Sequence, residues 1–353
     1  MNEIEDKFMR RALQLASLGR GAVSPNPMVG AVIVHNDKII GEGFHRHFGE
    51  GHAEVNAIAS VKDKTLLKDS TIYVTLEPCS HFGKTPPCAN LIISSGIPRV
   101  VIGSLDPFIK VQGRGVKMLR DAGVEVVTGV MEDQCKELNR IFMTAHTLHR
   151  PYVLLKWAQS KDNYIDIIRT PEQPAYVFSN ELSSMWVHRE RAAFDAILVG
   201  AGTVKMDNPS LTVRNWVGKN PLRVILDANS TVPEDSRVLT DGVPTLIYTK
   251  TESRKNGHVE YAKIGEEGLE WILQDLYSRG ITSVMVEGGA SVLGQFYKSA
   301  LWDEIRVETA DVVLSDGIMA PKIIEKVKEI TYHAQNRIEK YMRSVKIQER
   351  AIE

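Results

Sequence analysis

The chain has 353 residues, of which 43% are hydrophobic and 25% are charged, and its formal net charge is −1. This composition is typical of a globular protein with a sizeable core, and the length favours two domains. Proteins that bind nucleic acid usually carry a basic surplus, so the balanced charge argues against such a partner. No apolar stretch is long enough to cross a bilayer, and the N-terminus lacks the apolar core of a signal peptide. Three cysteines are too few for a disulfide scaffold, so we expect a cytoplasmic protein without a membrane partner.

The first half of the chain, residues 1–147, alternates helix-like and strand-like segments. A helical apolar period covers the N-terminus, and two apolar runs around Asn36 and Asp37 predict a β-hairpin. The following segments predict, in order, the helix "AEVNAIASV", the strand "STIYVTLEP", the helix "PPCANLIISSG", the strand "RVVIGSLDP", the helix "GRGVKMLRDAG", the strand "VEVVTG" and the closing helix "EDQCKELNRIFMTAHTL". Such alternation predicts a layered α/β domain with a mixed or largely parallel sheet.

The second half, residues 148–353, repeats this alternation. It begins with a strand after Pro151 and continues with the helix "SNELSSMWVHRERA", for which Ser179 or Asn180 is the predicted cap. The segments "DAILVGAGTV", "LRVILD", "TLIYT" and "SVMVEGGA" predict buried strands. The charged tail from about residue 335 predicts a last helix or strand.

Four side chains of the first half have the types and spacing of a hydrolytic zinc site: His52, Glu54, Cys79 and Cys88. Such a site takes three nitrogen and sulfur ligands and leaves a fourth position for water. A carboxylate beside the metal then carries protons to the leaving nitrogen. Each residue alone would be equally well explained as ordinary core or surface, but together they match the signature of the zinc deaminases of nucleobases. Cys135 lies outside this pattern and is predicted to be a core residue.

The two cysteines are separated by eight residues, where deaminases usually have two. With that insert, "SPNPMVGAVIV", "HAEVNAI", "VTLEPCSHFGKTPPC" and "VQGRGVKMLRDAG" resemble the deaminase domain of the bifunctional riboflavin-biosynthesis deaminase/reductases. The resemblance implies a cytidine-deaminase-like three-layer fold and one Zn²⁺ per chain on His52, Cys79 and Cys88, with Glu54 as the proton carrier. The substrate residues that it implies are Asn26, His45, Lys84 and Asp106. Phe108 stands where the family has an asparagine, which leaves one substrate contact open.

In the second half, "VEGGASVLGQF" places a glycine pair between a strand and a helix, where backbone N–H groups approach a phosphate closely. The spacing differs from that of the dinucleotide fold, so the residues predict only a nucleotide-binding α/β domain. A second glycine-bearing loop, "VGAGTVKMDNPSLTVR", adds polar candidates.

These segments, with "LKWAQSKD" and "PLRVILD", resemble the reductase half of the same family. The resemblance implies a dihydrofolate-reductase-like α/β domain that uses NADPH. The implied cofactor residues are Ala158, Thr203, Asp207, Gly289, Ala290, Ser291, Val292, Leu293, Gly294 and Gln295. The implied substrate residues are Arg191, Leu211, Arg214 and Glu287, with the two arginines facing a phosphate. Ala175 and Val177 replace a serine and a tryptophan of the family, which could weaken or retune the reduction.

The sequence therefore predicts two consecutive steps of riboflavin biosynthesis. The first is hydrolytic deamination of 2,5-diamino-6-(5-phosphoribosylamino)pyrimidin-4(3H)-one, and the second is NADPH reduction to 5-amino-6-(5-phosphoribitylamino)uracil. Three alternatives stay open: a nucleoside or tRNA deaminase fused to a reductase-like module, a deaminase with a non-catalytic reductase-like module, and a zinc-stabilised binding protein. We also expect the chain to form a homo-oligomer.

Overall fold

The computed structural model describes residues 3–80, 86–107 and 113–343. The chain divides into two compact units, Met1–His149 and Arg150–Glu353. In the described parts of the chain, none of the helices has both the length and the apolar character needed to span a membrane.

The first unit is built on a five-stranded sheet with the strand order β2-β1-β3-β4-β5. Its elements are α1 (Glu3–Ser17), β1 (Gly30–His35), β2 (Lys38–Phe44), α2 (Ala53–Ser60), a 3-10 helix (Lys64–Asp69), β3 (Thr71–Leu76), α3 (Cys88–Ser94), β4 (Arg99–Ser104), α4 (Arg114–Asp121), β5 (Glu125–Thr128), α5 (Glu132–Leu138) and α6 (Arg140–Leu148). Strands β3, β4 and β5 are parallel, whereas β1 is antiparallel to both of its neighbours. The sheet is therefore mixed.

Alternating residues of these strands pack against helices on both faces of the sheet. One core cluster joins Ile33, Ile72 and Ile102 to the apolar faces of α2, α3 and α4. The cluster on the opposite face joins Val32 and Tyr73 to α1 and to Cys135 of α5. The prediction of a three-layer domain is confirmed, and Cys135 is the core residue that the sequence predicted.

In this unit the predicted hairpin is confirmed, whereas the prediction of a single closing helix is wrong. The hairpin turn lies at Asn36 and Asp37, both at positive φ, as predicted. The predicted closing helix is in fact two helices, because Asn139 leaves the helical conformation at φ −101° between α5 and α6.

The second unit contains a ten-stranded sheet with the order β11-β12-β10-β9-β8-β13-β6-β14-β17-β16 and a two-stranded sheet of β15 and β7. Its elements are β6 (Tyr152–Gln159), β7 (Tyr164–Asp166), α7 (Glu181–Ala193), β8 (Ala196–Gly200), α8 (Ala201–Asp207), β9 (Leu222–Leu226), α9 (Arg237–Thr240), β10 (Thr245–Thr249), β11 (Arg254–Asn256), β12 (Val259–Lys263), α10 (Leu269–Ser278), β13 (Ser283–Val286), α11 (Ala290–Lys298), β14 (Glu304–Thr309), β15 (Ile318–Met319), β16 (Glu329–His333) and β17 (Asn336–Met342). The seven central strands, from β12 to β14, are parallel.

Helices cover both faces of this large sheet. Leu273 of α10 and Phe296 of α11 belong to one core cluster with the inward residues of the central strands. Val204 of α8 and Val238 of α9 belong to a second cluster, with Ile197 of β8. The four predicted strands are present, but "DAILVGAGTV" ends as a strand at Gly200 and continues as α8.

The ends of two other elements in this unit are also defined. The side chain of Asn180 caps α7 by accepting the N–H of Ser183, so Asn180 rather than Ser179 is the cap. The described part of the charged tail is a strand, β17, which pairs with β16 as an antiparallel hairpin.

Candidate active sites

His52, Cys79 and Cys88 form a cluster of metal-ligating side chains in the first unit. His52 directly precedes α2, Cys79 follows β3, and Cys88 is the first residue of α3. Their ligand atoms all lie within 4.8 Å of one another, and His52 Nδ1 is 3.6 Å from Cys79 Sγ and 3.3 Å from Cys88 Sγ. One imidazole and two sulfurs are the donor set that zinc prefers, so the residues present fit this ion.

The local structure prepares these side chains for binding a cation. His52 occupies the cap position of α2 but makes no capping hydrogen bond through its side chain, so the ring faces the two sulfurs. The Cys88 N–H donates to Cys79 Sγ over 3.3 Å. Hydrogen bonding from Cys88 and from His52 lowers the pKa of the Cys79 thiol. A thiolate is the form that binds zinc.

Glu54 lies in the first turn of α2 beside this cluster and is only 3% exposed. Within the described residues its Oε2 atom has no hydrogen-bond partner. Burial, together with the negative charge of Cys79, raises the pKa of Glu54 to about 7. A buried carboxylate with an unpartnered oxygen near the metal ligands has the position required of a proton carrier.

A cavity of about 300 Å³ opens over the cluster. It is lined by Pro25, Asn26, Pro27, Val29, His45, His52, Glu54, Leu76, Glu77, Cys79, Asp106, Phe142 and His146. Three of the four predicted substrate residues, Asn26, His45 and Asp106, therefore share one cavity with Glu54. Lys84, the fourth, and Phe108 lie outside the described residues.

The orientation of His45 is fixed by two neighbours. His45 is 2% exposed, its Nδ1 lies 3.2 Å from the carbonyl oxygen of Gly51, and its Nε2 lies 3.1 Å from Asn26 Nδ2. Since a carbonyl only accepts, Nδ1 carries the proton and Nε2 accepts from the amide. Burial lowers the pKa of His45 and so favours this neutral form.

The last helix of this unit and the break before it also contribute to the cavity, which was not predicted from the sequence. Phe142 and His146, on α6, form part of its wall. At the break between α5 and α6, the Asn139 side chain accepts the N–H of Met28 over 2.8 Å and donates to its carbonyl over 2.9 Å. This contact holds the segment that carries Asn26. Asn139 lies among other polar residues in the sequence, so it did not mark this break.

In the second unit, two of the predicted substrate residues bind each other. Arg191 Nε and Nη2 donate to the two carboxylate oxygens of Glu287 over 3.1 and 2.5 Å, and Nη1 donates to the Thr212 carbonyl over 3.3 Å. Burial disfavours the charged carboxylate, but Arg191 outweighs it, so the pKa of Glu287 is lowered. Arg191 is thus engaged with Glu287, whereas Arg214 is exposed. Leu211 is buried, has a positive φ, and lies on the loop between α8 and β9.

The predicted cofactor residues lie at the carboxyl ends of three neighbouring strands, β8, β13 and β6. The turn at Gly288 and Gly289 joins β13 to α11, whose first six residues, 290–295, are the remainder of the predicted loop. A Cβ atom at Gly288 would lie 2.7 Å from Val199 Cγ1 and 2.9 Å from Thr203 Oγ1. Gly289 has φ +70°, a conformation that favours glycine. This turn places the backbone N–H groups at the start of α11 close to the Thr203 side chain, which is the arrangement of a phosphate-binding loop. The residues present therefore fit a nucleotide cofactor.

The two remaining predicted cofactor residues lie on other elements. Ala158 is on β6, and Asp207 ends α8. Asp207 forms an ion pair with Arg169, whose guanidinium also binds Asp166 over 2.7 Å. Arg169 was not among the predicted site residues. Ala175 and Val177 are both exposed, Val177 to 78%.

The fold and the two sites define a class of protein: a zinc deaminase joined to a nucleotide-dependent reductase of the dihydrofolate-reductase type. Comparisons agree for both halves. The family model of the cytidine and deoxycytidylate deaminase zinc-binding region matches residues 2–104, and that of the RibD C-terminal domain matches residues 151–340.

Full-length relatives make the family plain. The chain is 44% identical to the riboflavin biosynthesis protein RibD of Bacillus amyloliquefaciens, covering 91% of this chain and 88% of that protein. It is 42% identical to RibD of Aquifex aeolicus, covering 90% of each. The crystal structure of a diaminohydroxyphosphoribosylaminopyrimidine deaminase/5-amino-6-(5-phosphoribosylamino)uracil reductase from Thermotoga maritima is 39% identical, with a TM-score of 0.86, and the match covers 96% of this chain and 98% of that one.

The chain belongs to the RibD family of riboflavin-biosynthesis enzymes. It is an enzyme with deaminase and reductase activities, and its cofactors are Zn²⁺ and NADPH. The predicted fold class is confirmed in both halves. Family membership does not favour the alternatives of a nucleoside or tRNA deaminase fusion, a non-catalytic reductase-like module or a zinc-stabilised binding protein.

Proposed function

We propose that residues 1–147 deaminate 2,5-diamino-6-(5-phosphoribosylamino)pyrimidin-4(3H)-one and that residues 148–353 reduce the product to 5-amino-6-(5-phosphoribitylamino)uracil. One observation carries the first step: three ligand atoms lie within 4.8 Å of one another, beside a buried carboxylate whose Oε2 has no partner among the described residues. A phosphorylated pyrimidine agrees with the names of the relatives.

In the deamination, His52, Cys79 and Cys88 hold the zinc ion. When bound, zinc supplies Lewis acidity that makes a water molecule acidic near neutral pH. Glu54 would take a proton from the attacking water, donate one to the ring nitrogen and help the amino group to leave as ammonia. Oxygen from water replaces nitrogen at the ring carbon, so the atoms balance. Asn26, His45, Lys84 and Asp106 bind the pyrimidine and the ribose phosphate.

In the reduction, NADPH supplies a hydride to C1 of the ring-opened ribose. The residues that bind the cofactor are Ala158, Thr203, Asp207 and the run from Gly289 to Gln295. Leu211 and Glu287 bind the ribose part of the substrate. Arg214, which is exposed and cationic, binds the phosphate of the substrate. Arg191 binds this phosphate as well only if its ion pair with Glu287 opens.

The remaining proposals concern partners and location. The net charge of −1 supports the absence of a nucleic-acid partner. None of the three cysteines, all within the described residues, forms a disulfide, which supports a cytoplasmic location. Exposed apolar side chains of the second unit, such as Ile318, Met319 and Ile324, are compatible with a homo-oligomer. Light scattering on the purified chain measures the number of subunits.

Mass spectrometry of the pyrimidine, with and without NADPH, tests both steps. Without NADPH the mass rises by about one unit, since oxygen replaces an NH group. With NADPH it rises by about two more, since two hydrogens are added. A pyrimidine that keeps its mass would contradict the proposal, as would a change in tRNA or cytidine instead.

The variant Glu54→Gln separates the two steps. It removes the proton carrier but not the metal ligands, so we expect deamination to fall by about 100-fold or more while zinc is retained. The same variant should still reduce the deaminated intermediate. Glu50→Gln is the matched control because the Glu50 side chain is 55% exposed on the surface. Equal deamination by Glu54→Gln and wild type would contradict the role of Glu54.

A further inference from the structure

Glu77 is a buried carboxylate for which the deamination mechanism has no use. It directly follows β3, two residues before the zinc ligand Cys79, and it is 4% exposed. Its side chain lines the cavity that holds Glu54. A charge removed from water in this way needs several partners.

The partners of Glu77 are backbone N–H groups. Oε1 accepts from Gly115 over 2.9 Å and from Val116 over 3.3 Å. Oε2 accepts from Gly113 over 3.0 Å and from Asp106 over 3.3 Å. Each oxygen therefore takes two N–H groups, which is the full capacity of a carboxylate.

Three of these donors belong to the start of α4. Gly113 is the cap residue of this helix, at φ +72°, and it has no side chain with which to cap. Glu77 therefore caps α4 from a distant part of the chain, and its negative charge suits the positive end of the helix dipole. The fourth donor is the backbone of Asp106, a predicted substrate residue that directly follows β4.

A second contact brings α4 close to the segment that contains Glu77 and Cys79. A Cβ atom at Gly115 would lie 2.2 Å from the carbonyl oxygen of Pro78, the residue between Glu77 and Cys79. The backbone of Glu77 is itself held in place, since its N–H donates to the Ser104 carbonyl over 3.0 Å. The zinc-ligand segment, the end of β4 and the start of α4 thus meet at one carboxylate.

We propose that Glu77 is a positioning residue for the deaminase site: it ties the end of β4 to the start of α4 and so places Asp106 in the wall of the cavity, while the zinc ligands keep their own geometry. The inference rests on the deamination proposed above. An amide in place of the carboxylate offers half as many lone pairs and turns an NH₂ group towards N–H donors. Glu77→Gln should therefore weaken the contact that positions Asp106 in the cavity wall and leave the zinc ligands in place.

The test compares wild type, Glu77→Gln, Glu77→Asp and the control Glu132→Gln, whose side chain is 44% exposed on α5. We expect Glu77→Gln to keep one zinc per chain and to raise KM for the diaminopyrimidine about tenfold, with kcat changed less than about threefold. Glu77→Asp, which keeps the charge, should recover part of the KM. Amide hydrogen exchange should speed up at Gly113, Gly115 and Val116 in Glu77→Gln.

Several results would overturn the inference. Loss of zinc from Glu77→Gln would mean that the residue supports the metal site instead. Unchanged KM together with unchanged hydrogen exchange would mean that Glu77 does not position Asp106 in the cavity wall. If Glu77→Gln is insoluble, Glu77→Asp decides: an intermediate rise in KM with faster exchange at Gly113 supports the role of Glu77, and wild-type values of both refute it. A wild-type chain that leaves the pyrimidine unchanged refutes the proposed deamination, whereas an active wild type beside an unaltered Glu77→Gln refutes only the role of Glu77.

Discussion

Arg223 offers the sharpest test of what stabilises the second unit. It lies on β9, is 0% exposed and forms a two-bond ion pair with Asp241, with both distances at 2.7 Å. Its guanidinium also donates to Thr245 Oγ1 and to the carbonyls of Ser210, Val238 and Val243. Arg223→Met keeps much of the volume and removes all of these donors.

The cost of Arg223→Met follows from what is left behind. Removing one partner of a buried ion pair costs about 3–5 kcal/mol. The Asp241 side chain is 30% exposed and regains water, and the hydroxyl of Thr245 still donates to the Val238 carbonyl. We therefore expect the lower end, about 3 kcal/mol. For a unit of roughly 200 residues this corresponds to a Tm lower by about 6–12 °C.

Tryptophan fluorescence reports this loss selectively, because all five tryptophans of the chain lie at residue 157 or later. Urea unfolding followed at these residues gives the free energy of unfolding of the second unit. Arg237→Met, which removes an exposed arginine on the neighbouring α9, should stay within about 0.5 kcal/mol of wild type. A loss below about 1 kcal/mol in Arg223→Met would refute the reasoning.

The pH dependence of the free energy of unfolding tests the same ion pair independently. Hydrogen bonds from Arg223 lower the pKa of Asp241 below the usual value for aspartate. The pair therefore stabilises the fold at pH values above the pKa of unfolded aspartate. This contribution is lost as the pH falls through the pKa of the folded state. The difference in stability between wild type and Arg223→Met should shrink in acid, and a difference that grows there would contradict the ion pair.

Three further predictions concern the two sites. Cys88→Ser removes a zinc ligand, so metal analysis should find less than one zinc per chain, and deamination should be lost while reduction persists. Gly288→Ala places a Cβ atom 2.7 Å from Val199 Cγ1 and should weaken NADPH binding about tenfold. Gly202→Ala, whose Cβ atom would meet nothing within 4 Å, should bind NADPH more nearly like wild type in the same fluorescence titration. Asn139→Ala loses both backbone hydrogen bonds and should destabilise the first unit by about 1–3 kcal/mol in thermal unfolding.

The sequence predicted best where the information is local. The zinc cluster depends on short motifs, and the central strands of the two large sheets have continuous or alternating apolar runs. The hairpin at Asn36 and Asp37 followed from turn chemistry alone, and both residues have the positive φ that such a turn requires.

The sequence predicted less well where partners lie far apart in the chain. Arg223 stands inside an apolar strand, and its carboxylate partner is 18 residues away, beyond a loop and a short helix. Arg191 and Glu287 are 96 residues apart, so their mutual contact was not visible when both were assigned to substrate. The break at Asn139 was missed for the same reason: its amide serves Met28, 111 residues earlier, instead of its own helix.

Glu54 of the first unit and Glu287 of the second are both buried carboxylates, but their surroundings are opposite. Glu54 is enclosed with an oxygen that lacks a partner among the described residues, and burial raises its pKa to about 7. Such a group gains and loses protons easily, which deamination requires. Glu287 accepts hydrogen bonds from Nε and Nη2 of Arg191, and this pairing keeps its pKa low. It therefore stays ionised, which suits the substrate-binding role that we propose for it, since in hydride transfer the protein orients the reactants.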